Sequence, residues 1–156
     1  MRITALAIGT RMPGWVDEGV RNYQQRLPRH INLTFQELPA AQRGKGSNPE
    51  KQKQKEGERM LKALREPVYV IALDEHGKSW TSIELARQLE NWLANQPRVA
   101  LLIGGAEGLA QSCIQRADHI WSLSPLTLPH ALVRIVLAEQ IYRAWTLVQG
   151  HPYHRE

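Results

Sequence analysis

The chain has a single cysteine, Cys113, among its 156 residues. One thiol cannot close an internal disulfide, so the core must hold the fold, and a reducing, cytoplasmic setting is expected. Long apolar runs are missing too. The longest uninterrupted ones cover a few residues, far short of the roughly 20 that a membrane-crossing helix needs, so no membrane partner is expected. Met1 to Thr10 lacks the small-residue cleavage pattern of a signal peptide, and Arg11, Pro13 and Asp17 follow at once. That opening reads as a first strand. No repeat and no internal boundary divides the chain, so residues 1–156 are expected to form one domain. Several catalytic signatures are also lacking. No Gly-Lys-Ser/Thr completes a Walker loop, and no Ser/His/Asp arrangement stands out. His151 and His154 have no third ligand at a regular spacing, so no metal is expected.

What is present is an alternation of apolar runs and helical patterns. Ile3 to Ile8, Ile31 to Phe35, Val68 to Leu73, Val99 to Ile103 and Ile120 to Leu123 read as strands. Between and after them, Trp15 to Leu27, Glu50 to Arg65, Ser82 to Ala94, Glu107 to Arg116 and Ala131 to Gln149 read as helices, with Thr81 or Ser82 as a cap for the third. Strictly alternating strands and helices predict an α/β fold with a mostly parallel sheet of five to six strands and helices on both faces. The last helix is apolar nearly all round, from Leu132 to Val148. A surface helix should show a polar face. This one is therefore expected to thread through the core or to lie in a symmetric dimer seam, with Arg134, Glu139 and Arg143 costly unless paired or functional.

Three stretches have the composition of a site. Gly104-Gly105-Ala106-Glu107-Gly108 follows a strand, where glycines let backbone approach a ligand closely. Its order is a poor dinucleotide fingerprint and, alone, is as well explained by a structural turn. Ser122-Leu123-Ser124-Pro125-Leu126-Thr127-Leu128-Pro129-His130 follows the last strand. Its prolines fix the backbone and Pro129 suits a helix start. An apolar loop with free amides suits a flat ring such as adenine, although Leu126 and Leu128 could equally plug the core. Asp74, Glu75 and His76 stand at a third strand end, where a carboxylate could hold a ribose or serve the turn.

Charge adds a partner class. The net charge of +5 favours a polyanion, or simply solubility. Seven of the basic residues fall between Arg43 and Lys62, including Arg43 and Lys45, against three acidic ones. Gly44, Gly46, Ser47 and Pro49 make the start of that segment a mobile loop, and the segment is either a solvated helix face or an RNA-facing element. The tail, His151-Pro152-Tyr153-His154-Arg155-Glu156, is dense in groups that stack on bases and hold phosphates.

Taken together, these stretches resemble the ribosomal RNA large subunit methyltransferase H family of the SPOUT superfamily. The resemblance is carried by Leu73-Asp74, Leu102 to Gly108, Ser122 to His130, Arg134, Glu139 to Ala144 and Tyr153-His154-Arg155, with Gly9-Thr10-x-Met12-Pro13 and Arg43-Gly44-Lys45. It implies S-adenosyl-methionine-dependent methylation at N3 of a large-subunit (23S) rRNA pseudouridine, by a homodimer acting on assembled ribosomes. It also implies a C-terminal trefoil knot. Carried over by residue, it assigns Leu73, Gly104, Gly105, Leu123, Ser124, Pro125, Leu126, Thr127 and Leu128 to the cofactor. His130, Tyr153, His154 and Arg155 fall at the reacting centre, with His130 or His154 as candidate base. Arg43, Lys45, Arg134 and Arg155 face RNA. A ribosome-binding module without transfer activity and a small dehydrogenase are the rival readings.

Overall fold

Five short strands carry the apolar runs: β1 (Arg2–Ile8), β2 (Asn32–Leu38), β3 (Tyr69–Ser79), β4 (Arg98–Ile103) and β5 (His119–Ser122). The helices are α1 (Gly14–Arg26), α2 (Pro49–Ala63), α3 (Ser82–Asn95), α4 (Gln111–Arg116) and α5 (His130–Gln149), and a 3₁₀ turn (Pro152–Arg155) follows. The computed structural model describes residues 1–155, with Arg155 described through its backbone alone. All strand pairs are parallel, in the order β2-β1-β4-β3-β5.

Alternation along β1 divides the core. Ile3, Ala5 and Ala7 face a cluster with Leu85, Leu89 and Trp92 of α3 and Leu137 and Ile141 of α5, against which Tyr23 of α1 also packs. Leu6 and Ile8 face the other way, onto Met60 of α2 and Cys113 of α4. Helices therefore cover both faces. Local chemistry sets the helix starts. Asn48 accepts the Glu50 amide ahead of Pro49, and Thr81 forms a capping box with Glu84. At its end, α5 stops at Gly150 in the left-handed conformation.

Two elements differ from expectation. The fourth helix starts at Gln111 and not at Glu107, because the Gly108 amide turns back onto the Gly105 carbonyl at 3.0 Å with Gly108 at φ +81°. A side chain at that φ would be strained, so the turn is separate from the helix. The third strand continues past Leu73. It makes an excursion over residues 74–77 and resumes pairing at Lys78 with Trp121.

The last helix lies between α1 and α3 on one face of the sheet. That placement accounts for much of its all-round apolar character within one chain. Its charges are paired: Arg134 with Glu37, and Arg143 with Glu139 at 2.7 Å.

Candidate active site

In a parallel sheet the carboxyl ends of the strands share one edge, and ligand sites form there. Ile8, Leu73, Ile103 and Ser122 close β1, the regular part of β3, β4 and β5 on that edge, and all four line one cavity of 830 Å³. Its walls are the two loops singled out in the sequence. Gly104 leads the first. A Cβ placed there would lie 2.5 Å from the Gly108 carbonyl carbon, so only glycine lets the turn fold this tightly. The second loop is shaped by its own hydroxyls: Ser122 donates to the Ser124 carbonyl at 3.2 Å, and the Leu126 amide donates to the Ser124 hydroxyl at 2.9 Å. Leu126 is 73% exposed at the mouth, so it is not a core plug. Asp74 accepts the His76 amide at 2.8 Å, which is turn chemistry, yet Asp74 and Glu75 also line the cavity.

A buried network ties the two loops together. His130, the first residue of α5, donates from Nδ1 to the Gly104 carbonyl at 3.2 Å. Arg134, one turn on, donates from Nε to His130 Nε2 at 3.1 Å. A carbonyl can only accept and a guanidinium can only donate, so these two contacts fix the neutral Nδ1–H tautomer. Burial first, and then the adjacent Arg134 charge, push the His130 imidazole below its usual range. The remaining donors of Arg134 reach the Gly9 carbonyl at 2.8 Å and the Glu37 carboxylate. Arg134 is 2% exposed, so the side chain expected to face RNA is instead a strut behind the cavity wall.

Of the residues expected at the cofactor, Leu73, Gly104, Gly105, Leu123, Ser124, Leu126, Thr127 and Leu128 line the cavity, and Pro125 does not. His130 lines it too. Tyr153 and His154 lie elsewhere. They follow the end of α5, a 20-residue helix about 30 Å long, while His130 stands at its start. Tyr153 donates to Glu139 at 3.2 Å, meets Tyr142 edge-on at 4.7 Å and lies 4.9 Å from the Arg143 guanidinium. Burial, then the Glu139 charge, push its phenol up to about 12. Nδ1 of His154 is buried without a partner. The Arg155 side chain lies outside the described residues.

The basic segment touches the rim. Arg43 lines the cavity and pairs with Glu107 of the glycine turn at 3.0 Å; Lys53 lines it as well, and Lys45 is exposed outside it. The stretch just before the segment is tethered to α2. Gln52 holds the Gln42 carbonyl, Arg59 the Pro39 carbonyl and Glu56 the Ala41 amide. Sequence reasoning missed Glu37 and Glu56. Glu56 is 2% exposed, and its free oxygen would lie 3.2 Å from a Cβ on Gly105. The available signal for Glu37 was indirect: a buried arginine on an apolar helix requires an acid somewhere. Among the described residues, no group of three or more His, Cys, Asp or Glu is placed to hold a metal ion, and no helix is long and apolar enough to cross a membrane.

Comparison with known proteins gives this geometry a family. A family model described as a predicted SPOUT methyltransferase matches residues 1–154. The ribosomal RNA large subunit methyltransferase H of Hahella chejuensis is 51% identical over 156 residues, covering 100% of both chains. The protein of the same name from Alkalilimnicola ehrlichii is 54% identical over 155 residues, 99% of each. Among solved structures, the SpoU methyltransferase AviRb from Streptomyces viridochromogenes, in complex with the cofactor AdoMet, aligns with a TM-score of 0.44 and 14% identity over 92% of this chain and 57% of that one. With relatives half-identical from end to end and a family model spanning nearly every residue, this chain belongs to the SPOUT methyltransferases, in the family of ribosomal RNA large subunit methyltransferase H.

Proposed function

We propose that the protein transfers a methyl group from S-adenosyl-methionine to N3 of a pseudouridine in large-subunit ribosomal RNA, as a cytoplasmic homodimer acting on assembled ribosomes. The observation that carries this reading is the convergence of both loops on one cavity, joined through His130 and Gly104. The lining suits such a donor. Glycine backbone at Gly104 and Gly105 and the backbone of the second loop would hold a ring and a ribose. Asp74 and Glu75 complement a cation. When bound, the donor supplies an electrophilic methyl on sulfur; N3 gains the carbon, loses its proton, and a neutral thioether departs.

Positioning is then the main task of the chain's own residues. His130 holds the Gly104 carbonyl and has no free nitrogen, so it serves as a positioning residue. The proton from N3 falls to the tail, where His154 is the remaining candidate base. Because Tyr153 lies beside Glu139, about 14 Å along α5 from His130, the tail stands apart from its own cavity, and a second copy supplies it. Exposed apolar side chains on the α1 and α5 side, Trp15 at 52% and Leu132 at 40%, offer a seam for that copy. Arg43 and Lys45 remain at or beside the rim as RNA contacts. A trefoil knot fits the same geometry. The last helix starts beyond the edge strand β5, yet its Arg134 reaches Glu37 on the opposite edge strand β2.

Calorimetry with S-adenosyl-methionine tests the site: no heat of binding would leave only an RNA-binding module. Mass spectrometry of rRNA from cells lacking the gene tests the substrate. The expected result is loss of one methyl from a large-subunit pseudouridine.

A further inference from the structure

The opposite end of the sheet carries a feature the methyl-transfer site does not use. There α2 has ended, and Thr4 of β1 with Asn32, Thr34 and Gln36 of β2 set polar groups among Leu6, Val68 and Ala100 in a cavity of 310 Å³. Arg2, Arg65 and Arg98 line its walls. A neighbouring cavity of 350 Å³ continues it past Arg2 and Arg98 to Arg29 and His30. All four arginines are exposed, and no carboxylate lines either cavity. Among the described residues, none of the four takes part in an ion pair.

The arrangement opposes stability. Arg2 and Arg98 sit directly opposite each other on adjacent strands. Like charges in that register destabilise a sheet, and no acid offsets them. Uncompensated charge of one sign in a concave surface raises the local concentration of the opposite sign. The flanking amides and hydroxyls of Asn32, Gln36 and Thr34 supply neutral groups of the kind that contact phosphate and sugar.

We propose that this groove is a second RNA contact, binding phosphates of the same ribosomal substrate on the far side of the sheet from the methyl-transfer cavity. The proposal rests on the reading of RNA as substrate. Ile8 stands six steps along β1 from Arg2, about 20 Å at a strand's rise, a span that one folded RNA readily covers. Such contacts position and carry no sequence choice.

The test measures binding to purified ribosomes and to protein-free large-subunit RNA as potassium chloride is raised, with calorimetry of S-adenosyl-methionine alongside. Replacing Arg2, Arg29, Arg65 and Arg98 together by Gln should weaken both RNA interactions at least about tenfold and flatten the slope of log K against log salt by about 3, while donor binding stays unchanged. The corresponding four-lysine protein keeps the charge and should keep the slope. If the fourfold variant fails to fold, Arg29→Gln and Arg98→Gln singly should each lower the slope by about 1. An unchanged slope would overturn the proposal. So would an equal loss in the lysine protein, or a loss seen with ribosomes but not with protein-free RNA, which would mark a protein partner. If the unaltered protein binds donor but neither RNA, the substrate reading itself fails.

Discussion

The two ends of α5 are built in opposite ways. At its start, His130 and Arg134 have their polar side-chain groups engaged, on Gly104, Gly9, Glu37 and each other. At its end, the indole N–H of Trp145 and Nδ1 of His154 are buried with no acceptor or donor. Buried polar atoms without partners are rare in finished structures. The contrast teaches that the cavity wall is held by a dense polar network, while the far end of the helix is held more by aromatic packing, of Tyr153 on Tyr142 and of Tyr142 against Trp145.

The largest expected effect breaks the comparison at the tail. Removing residues 151–156 should lower methyl transfer at least about 100-fold, the scale of a misplaced catalytic group, with little change in donor affinity. Mixing that truncated chain with a Gly104→Ala chain should restore turnover in the mixed dimer; no recovery would mean that each tail serves its own cavity. The Gly104→Ala change comes next. Its Cβ meets backbone at 2.5 Å, so the turn must open. Overpacking of this kind costs about 1–3 kcal/mol, which calorimetry should read as about a 10- to 100-fold loss of donor affinity.

Arg134→Leu removes the strut. Glu37 is partly exposed and can rehydrate, so the loss should sit below the full cost of breaking a buried pair, at about 2–3 kcal/mol. A fall of roughly 5–10 °C in melting temperature would show it. A smaller effect comes from pH. His130 is held below its usual value of 6.5, so the unfolded chain binds that proton more readily. The stability this network contributes is therefore whole above that value and is lost as pH falls from it toward the folded value. An amide can make the same donor and acceptor contacts, so His130→Gln should melt with a flatter dependence between about pH 7.5 and 5.5; equal slopes would sink the tautomer assignment. Least of all, Arg43→Gln cuts an exposed ion pair and should move stability by no more than about 0.5 kcal/mol, a differential-scanning measurement that separates the rim from the buried network.

Much of this was legible beforehand. The four continuous apolar runs became strands β1, β3, β4 and β5, and the alternation of Ile31, Leu33 and Phe35 with polar residues became the edge strand β2, half exposed. The glycine and proline loops became the cavity walls, since those residues restrict or release backbone wherever they stand. Other features left no local trace. Glu37 and Arg134 are 97 positions apart, so their pairing is invisible to any window of sequence. The end of β3 was hidden because Asp74-Glu75-His76-Gly77 has turn composition, yet Gly77 lies so close to the Ile120 backbone that pairing resumes beyond it. Arg2 and Arg98 are 96 positions apart, and only parallel pairing sets them side by side.

The hydrogen bond from Arg134 to Gly9 spans 125 positions, nearly the entire chain. A growing polypeptide that has not yet reached Arg134 lacks the clasp, however well its first strands have formed. A fragment that ends before His130 also lacks the side chain that holds the Gly104 carbonyl, so it is expected to bind a methyl donor weakly.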